Sequence, residues 1–321
     1  MIRRHLPVFV TLAVFIVGYL ICLAQFPSFA STRVIGNLLT DNAFLGIVAV
    51  GMTFVILSGG IDLSVGSVIA FTGVFLAVAI EHYSINPYVA FILILAVASL
   101  FGAGMGYVIH VFQIPAFIVT LAGMFLARGM CFVLTTDSIA INAPAYGDIT
   151  DIALRLPGGG RLTFIAMVML ITFAVGIVLA HFTRFGTNVY ALGGNRTSSE
   201  LMGVPVGRTT IRIYMLSSFL AALAGIVFSF YTSAGYSLAA TGVELDTIAA
   251  VVIGGTLLTG GYGTIFGTLI GVLIQGLIQT YITFEGTLSS WWTKIAIGGL
   301  LFAFIVLQRG LAAASLRSRQ A

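Results

Sequence analysis

The side chains capable of polar chemistry are few in this chain, and those that cluster do so in one segment. Between His181 and Arg212, a Gly-rich polar stretch carries Arg184, Arg196, Arg208 and Arg212 with a single acid, Glu200, while the sequence on either side is apolar. The chain is 59% hydrophobic and only 7% charged, against roughly 25% charged for soluble domains. In that setting the segment predicts a docking surface for a soluble partner.

The other polar residues stand singly in apolar sequence. Asp62, in Leu57-Ser58-Gly59-Gly60-Ile61-Asp62-Leu63-Ser64, occupies a context where ionisable groups are costly and face a pathway or a partner. It reads either as a pathway residue or as a cap for the following helix, with Ser64 helping to satisfy the first amides. Asp246 before Thr247 reads the same way, and Glu244 is an exposed loop acid or faces an external vestibule. Gln275 and Gln279, four apart, share one helix face and offer amides either to a polar solute or to a neighbouring helix. Arg128 is expected to snorkel or to pair with Asp137, and Lys294, after Trp291-Trp292, to anchor at a membrane interface.

Several function classes are excluded. The four histidines are scattered without metal-ligand spacing, and Cys22 and Cys131 lie in apolar runs with no partner at useful spacing. No Ser-His-Asp order or paired carboxylates suggest an enzyme. The single lysine, Lys294, follows Thr293, so no Gly-Lys-Ser/Thr phosphate loop exists and an ATP motor would be another polypeptide. The small basic excess, with a pI near 9.2, sits in loops and at the termini in the positive-inside pattern rather than in a nucleic-acid patch.

Apolar runs of about twenty residues, enough to cross roughly 30 Å of hydrocarbon as helix, recur from Pro7 to Gln308. The expected fold is an all-α polytopic membrane protein, one domain over 1–321. Breaks at charges, Pro and Gly clusters give about ten spans: 7–26, 42–58, 63–80, 88–111, 115–134, 162–181, 211–231, 247–259, 263–283 and 292–308. An even count puts both termini on one side. Arg3, Arg4, Arg309, Arg317, Arg319 and the Arg184–Arg212 loop place that side in the cytoplasm. Ser28-Phe29-Ala30 loosely fits a signal cleavage site, but the apolar core before it is too long, so an uncleaved first span is expected. The other side receives Glu81, the segment from Thr135 to Arg161, the Ser233–Asp246 loop and Glu285.

Gly59-Gly60 and Gly254-Gly255 through Gly260-Gly261-Tyr262-Gly263 mark candidate broken helices, since irregular backbone at membrane depth survives only against protein or a wet cavity. Gly60-Ile61-Asp62-Leu63 and Gly242-Val243-Glu244-Leu245 share the order Gly, β-branched, acid, Leu, a candidate inverted repeat or a chance match. Gly102 with Gly106, and Gly263, Gly267 and Gly271, fall at the four-residue spacing of close helix packing.

Three stretches carry a resemblance: Met52 through Ser67, Ala191-Leu192-Gly193-Gly194-Asn195 through Gly203-Val204, and Ile253-Gly254-Gly255-Thr256 with Gly260-Gly261. Through them the chain resembles, over nearly its whole length, the permease subunits of bacterial ABC sugar importers of the ribose type. Ser31-Thr32-Arg33-Val34-Ile35, Thr40-Asp41-Asn42-Ala43-Phe44-Leu45-Gly46 and Gly286 through Lys294 make it most similar to permeases of galactofuranose importers. The resemblance implies a multi-pass protein of the bacterial inner membrane, paired with a second, homologous permease. It also implies a cytoplasmic ATPase that holds ATP and Mg, and a periplasmic binding protein that delivers sugar; no cofactor is expected in this chain. A coupling loop is implied at about 183–210, with Gly193, Gly194, Asn195, Arg196, Glu200, Gly203 and Arg208 as its residues. A path for neutral polyols should carry hydroxyls and amides, and Asn42, Ser58, Asp62, Ser64, Ser67, Gln275 and Gln279 are its candidates. The rival reading is an ion-coupled secondary transporter or channel, which would use Asp62.

Overall fold

The computed structural model describes the backbone of residues 2–289 and 291–320, and the side chains of residues 8–289 and 291–306. Arg3, Arg4, Arg309, Arg317 and Arg319, on which the expected orientation rests, lie outside the described side chains. Apolar sequence forms helices here because each backbone N–H and C=O must bond within its own segment once water is gone.

Helix α1 (Ile2–Gln25) leads into α2 (Thr32–Asp41) and α3 (Ala43–Leu57), which meet at a bend of 54°. The bend falls at Asn42, whose Nδ2 donates to the Leu38 carbonyl at 2.8 Å and so satisfies an oxygen left open by the interruption. Next come α4 (Val65–Ala77, continued by a π-helical turn to His82), α5 (Pro87–Val111) and α6 (Ala116–Leu134). The following segment holds β1 (Ile139–Ala140), α7 (Pro144–Thr150), and a hairpin of β2 (Ala153–Arg155) with β3 (Arg161–Thr163). After α8 (Phe164–Phe182), the polar segment folds as two short helices, α9 (Arg184–Gly194) and α10 (Arg196–Leu201). The chain ends with α11 (Val206–Thr232), β4 (Ala234–Gly235), α12 (Val243–Ile253), α13 (Ile265–Glu285) and α14 (Trp291–Gln320).

Among the described residues, seven helices are long and apolar enough to cross a membrane, or eight if α2 and α3 form one bent span. The expected span at 247–259 is corrected: α12 has 11 residues, about 16 Å at 1.5 Å per residue. Glycine ends it. Gly255 (φ +92°) takes the left-handed conformation and Thr256 N–H closes back on the Val251 carbonyl at 3.2 Å. Helix α3 stops the same way, with Gly59 at φ +83° and Gly60 N–H on the Val55 carbonyl at 3.0 Å. Both are glycine C-caps that satisfy carbonyls the helix leaves open.

Every residue of α3 except Phe44 is buried, as suits a helix that is apolar all round, and α8, α11, α12 and α13 pack on it. A β-carbon at Gly102 or Gly106 of α5 would overlap the backbone of α11 at Tyr214 or Ile211, and one at Gly267 or Gly271 of α13 would overlap Gly254 or Ala250. The glycine spacing thus serves close helix approach. By contrast α5 and α6 turn Ile92, Leu100, Phe125 and Val133 outward, as lipid-facing helices do.

Strand β1 pairs with β4, Ile139 opposite Gly235, which ties the 135–163 segment to the 233–242 segment at one end of the bundle. The Asn142 N–H donates to Glu81 Oε1 at 2.7 Å, and Arg33 Nε to the Gly159 carbonyl at 3.3 Å, at that same far end. The opposite end, with α9 and α10, is the loop end. Arg128 does not pair with Asp137; its Nη1 donates to the carbonyls of Ser237 and Ala239 at 2.7 and 2.8 Å and fastens the irregular strand-to-helix segment before α12.

Candidate coupling surface and polar cavity

At the loop end, α9 lies across the two glycine breaks. The Gly261 N–H donates to the Leu57 carbonyl at 2.8 Å, joining the end of α3 to the loop between α12 and α13. Gly193 rests on this junction so closely that a β-carbon would overlap the Leu57 carbonyl, and Tyr190 Oη donates to the Gly263 carbonyl at 2.8 Å. Asn195 then caps α10 by accepting from Ser198 N–H at 2.9 Å, and Arg196 pairs with Glu200 at 3.6 Å. Gly203 (φ +78°) ends α10, leaving Leu201 and Met202 at its tip 86% and 71% exposed. Gly194, Asn195, Glu200, Gly203 and Arg208 are also exposed. Of the predicted loop residues, Gly193 thus faces inward while most of the others are exposed, and a cavity of about 460 Å³ that Ser58, Gly60, Asn195 and Arg196 help to line lies beside them.

Asp62 sits elsewhere, beside the middle of α11 and fully buried. Its Oδ1 accepts from Ser64 N–H at 2.9 Å and from Ser64 Oγ at 2.6 Å, and its Oδ2 accepts from Ser217 Oγ at 2.7 Å. It folds the entry to α4 and staples it to α11. Ser64 and Ser67 are buried too, and none of these three lines the cavity that holds Asn42, Gln275 and Gln279.

Those last three converge on a far-end cavity of about 690 Å³, lined also by Asp41, Tyr231, Asp246, Trp291 and Lys294. Gln275 Nε2 donates to the Asp246 carbonyl at 3.0 Å, a bond from α13 to α12, and Tyr231 Oη faces Asp41 Oδ1 at 3.4 Å. Lys294 is more than an interfacial anchor: it forms an ion pair with Asp246, linking α14 to α12. Glu244, half-buried in the first turn of α12, has its carboxylate against Gly66 at the start of α4 rather than in an exposed loop. Sequence reasoning missed Asp41, Tyr231 and the Lys294–Asp246 pair as cavity residues. The adjacent acid and amide at Asp41-Asn42, set at a helix break, were the available signal. Among the described residues no His, Cys, Asp and Glu cluster could hold a metal ion.

The family described as branched-chain amino acid transport system / permease component matches residues 34–305. The chain belongs to this permease family. It is 66% identical over 311 residues to the inner membrane ABC transporter permease protein YjfF of Escherichia coli (strain K12), covering 97% of this chain and 94% of that one. It is 36% identical over 319 residues to the fructose import permease protein FruG of Bifidobacterium longum, covering 97% and 93%. With the ribose import permease protein RbsC of E. coli (strain K12) it shares 39% over 247 residues, 74% of each chain. The protein is thus a multi-pass permease subunit of the bacterial inner membrane, not an enzyme, and ATP hydrolysis belongs to a separate subunit.

Proposed function

We propose that this chain is the membrane-spanning permease subunit of an ATP-driven importer of galactofuranose or a related monosaccharide. A periplasmic binding protein delivers the sugar, a cytoplasmic ATPase docks on residues 183–210, and a second, homologous permease completes the pathway. The observation that carries the reading is the seat of Gly193 and Tyr190 on the joined ends of α3 and the α12–α13 loop. A push on α9 from outside the bilayer reaches both breaks at once, as a rigid-body rocking mechanism requires. The sugar import relatives support the substrate class, and galactofuranose rests on the whole-sequence resemblance that includes residues 31–35, 40–46 and 286–294.

In this reading the chain crosses the membrane about ten times, one crossing being made by α12 together with the irregular segment before it, and the loop end, with both termini, faces the cytoplasm. The start of α12 lies against the start of α4, and the two helices run to opposite ends of the bundle, which supports an inverted repeat. Asn42, Gln275 and Gln279 line the path at the far end and Ser58 at the loop end, with Asp62, Ser64 and Ser67 shaping it from behind. A secondary transporter would need a carboxylate reachable by its coupling ion, and both oxygens of Asp62 are buried and engaged.

The test is affinity purification from detergent-solubilised membranes of the native host, comparing wild type with Leu201→Asp and Gly203→Arg. The ATPase and a second permease should copurify with wild type, and the ATPase should be lost from both variants. Recovery of the chain alone, with uptake intact in cells lacking that ATPase, would overturn the proposal.

A further inference from the structure

We propose that the far-end cavity is a binding station for one neutral monosaccharide within the permease itself; this deepens, and rests on, the importer reading above. The volume of about 690 Å³ lies in the range of roughly 300–1,000 Å³ found for small-molecule sites. Its walls carry buried polar groups with capacity to spare. Asn42 and Gln275 are only 4% and 3% exposed, and each spends one amide N–H on a backbone carbonyl, that of Leu38 or Asp246. No other side-chain hydrogen bond of either amide occurs among the described residues, so each keeps a carbonyl oxygen and an N–H in reserve. Neither oxygen is sealed away without a partner, and both residues line the cavity, so the spare capacity is open to a solute there.

A sugar hydroxyl is at once donor and acceptor, the complement of an amide that offers both. Asp41, exposed at the cavity wall, adds a carboxylate acceptor, and Trp291 an aromatic face for the C–H side of a ring. The amide of Asn42 is built into place, since a β-carbon at Gly276 would overlap it. Charge sets the class. Lys294 neutralises Asp246, so Asp41 is left as the unbalanced charge of the lining, which admits a neutral polyol and repels sugar phosphates and sugar acids.

The experiment uses the assembled complex in proteoliposomes with D-galactose as probe, reading sugar imported per ATP hydrolysed for wild type, Asp41→Asn and Gln279→Leu. Both side chains are exposed, so the fold should survive either change. The ratio is expected to fall about tenfold in Asp41→Asn, the loss that follows removal of a charge-assisted hydrogen bond, and about fivefold in Gln279→Leu, which removes a neutral one. In a Trp292→Phe background, millimolar D-galactose should also quench Trp291 emission of the permease, and Asp41→Asn should remove the quench. An unchanged ratio and no quench would overturn the station while the importer reading stands. A wild-type complex that neither hydrolyses ATP nor imports would sink the importer reading, and the quench would then decide the cavity alone.

Discussion

Replacing Asp62 separates a structural carboxylate from a transport carboxylate. Asp62→Ala strips the acceptor from the Ser64 N–H, the Ser64 hydroxyl and the Ser217 hydroxyl, which lie 2.9, 2.6 and 2.7 Å from its oxygens. Each buried donor left unpaired costs about 1–3 kcal/mol. The Ser217 hydroxyl recovers part of this by rotating to a carbonyl of the preceding turn of α11, whereas Ser64, which stands before the first turn of α4, has no such carbonyl for its hydroxyl and its N–H cannot rotate. The expected loss is therefore about 3–5 kcal/mol, a fall in midpoint on the order of 10 °C. Asp62→Asn keeps the Oδ1 acceptor for Ser64 and turns an NH₂ toward Ser217, whose oxygen can accept, so its cost should be near 1 kcal/mol. Thermal unfolding of the complex in detergent, followed by size-exclusion fluorescence, gives the midpoints, and sugar uptake in cells gives the activity. Asp62→Ala should lower both, and Asp62→Asn should keep most of both. An Asp62→Asn protein that folds with the wild-type midpoint yet imports nothing would refute the reasoning, because the charge itself would then be used in transport.

Two further outcomes follow from the same geometry. Gly193→Ala places a methyl against the Leu57 carbonyl and Gly261 N–H, an overpacking cost of about 1–3 kcal/mol; the ATPase should still copurify while uptake is lost, and normal uptake would show that α9 does not act through this junction. Arg128→Met removes two bonds from a cationic donor to Ser237 and Ala239, so local opening of residues 236–241 should become easier by about 2 kcal/mol, or roughly thirtyfold. Hydrogen exchange mass spectrometry of that peptide measures the change, and an unaltered rate would mean the strand pairing of β1 with β4 holds the segment alone.

The helical class, the membrane setting and the exposed polar loop were legible in the residues themselves. Apolar runs separated by charges leave the backbone one way to satisfy its hydrogen bonds, and a cluster of arginines among them can sit only outside the bilayer. Glycine pairs marked the two breaks because left-handed backbone at Gly59 and Gly255 is a local property. What local pattern cannot carry is which distant residues meet. Arg128, expected to snorkel or to pair with Asp137, instead donates to carbonyls more than a hundred residues away. Lys294, an anchor by its tryptophan neighbours, turns inward to Asp246, and the seven polar pathway candidates divide between a buried staple at α4, a loop-end cavity and a far-end cavity. Sequence determined the elements and where they break, because hydrogen-bond satisfaction and glycine geometry act within a few residues. Only the tertiary packing decided which polar side chains share a space, because that depends on how α12, α13 and α14 approach one another, and close approach is set by surfaces far apart in the chain.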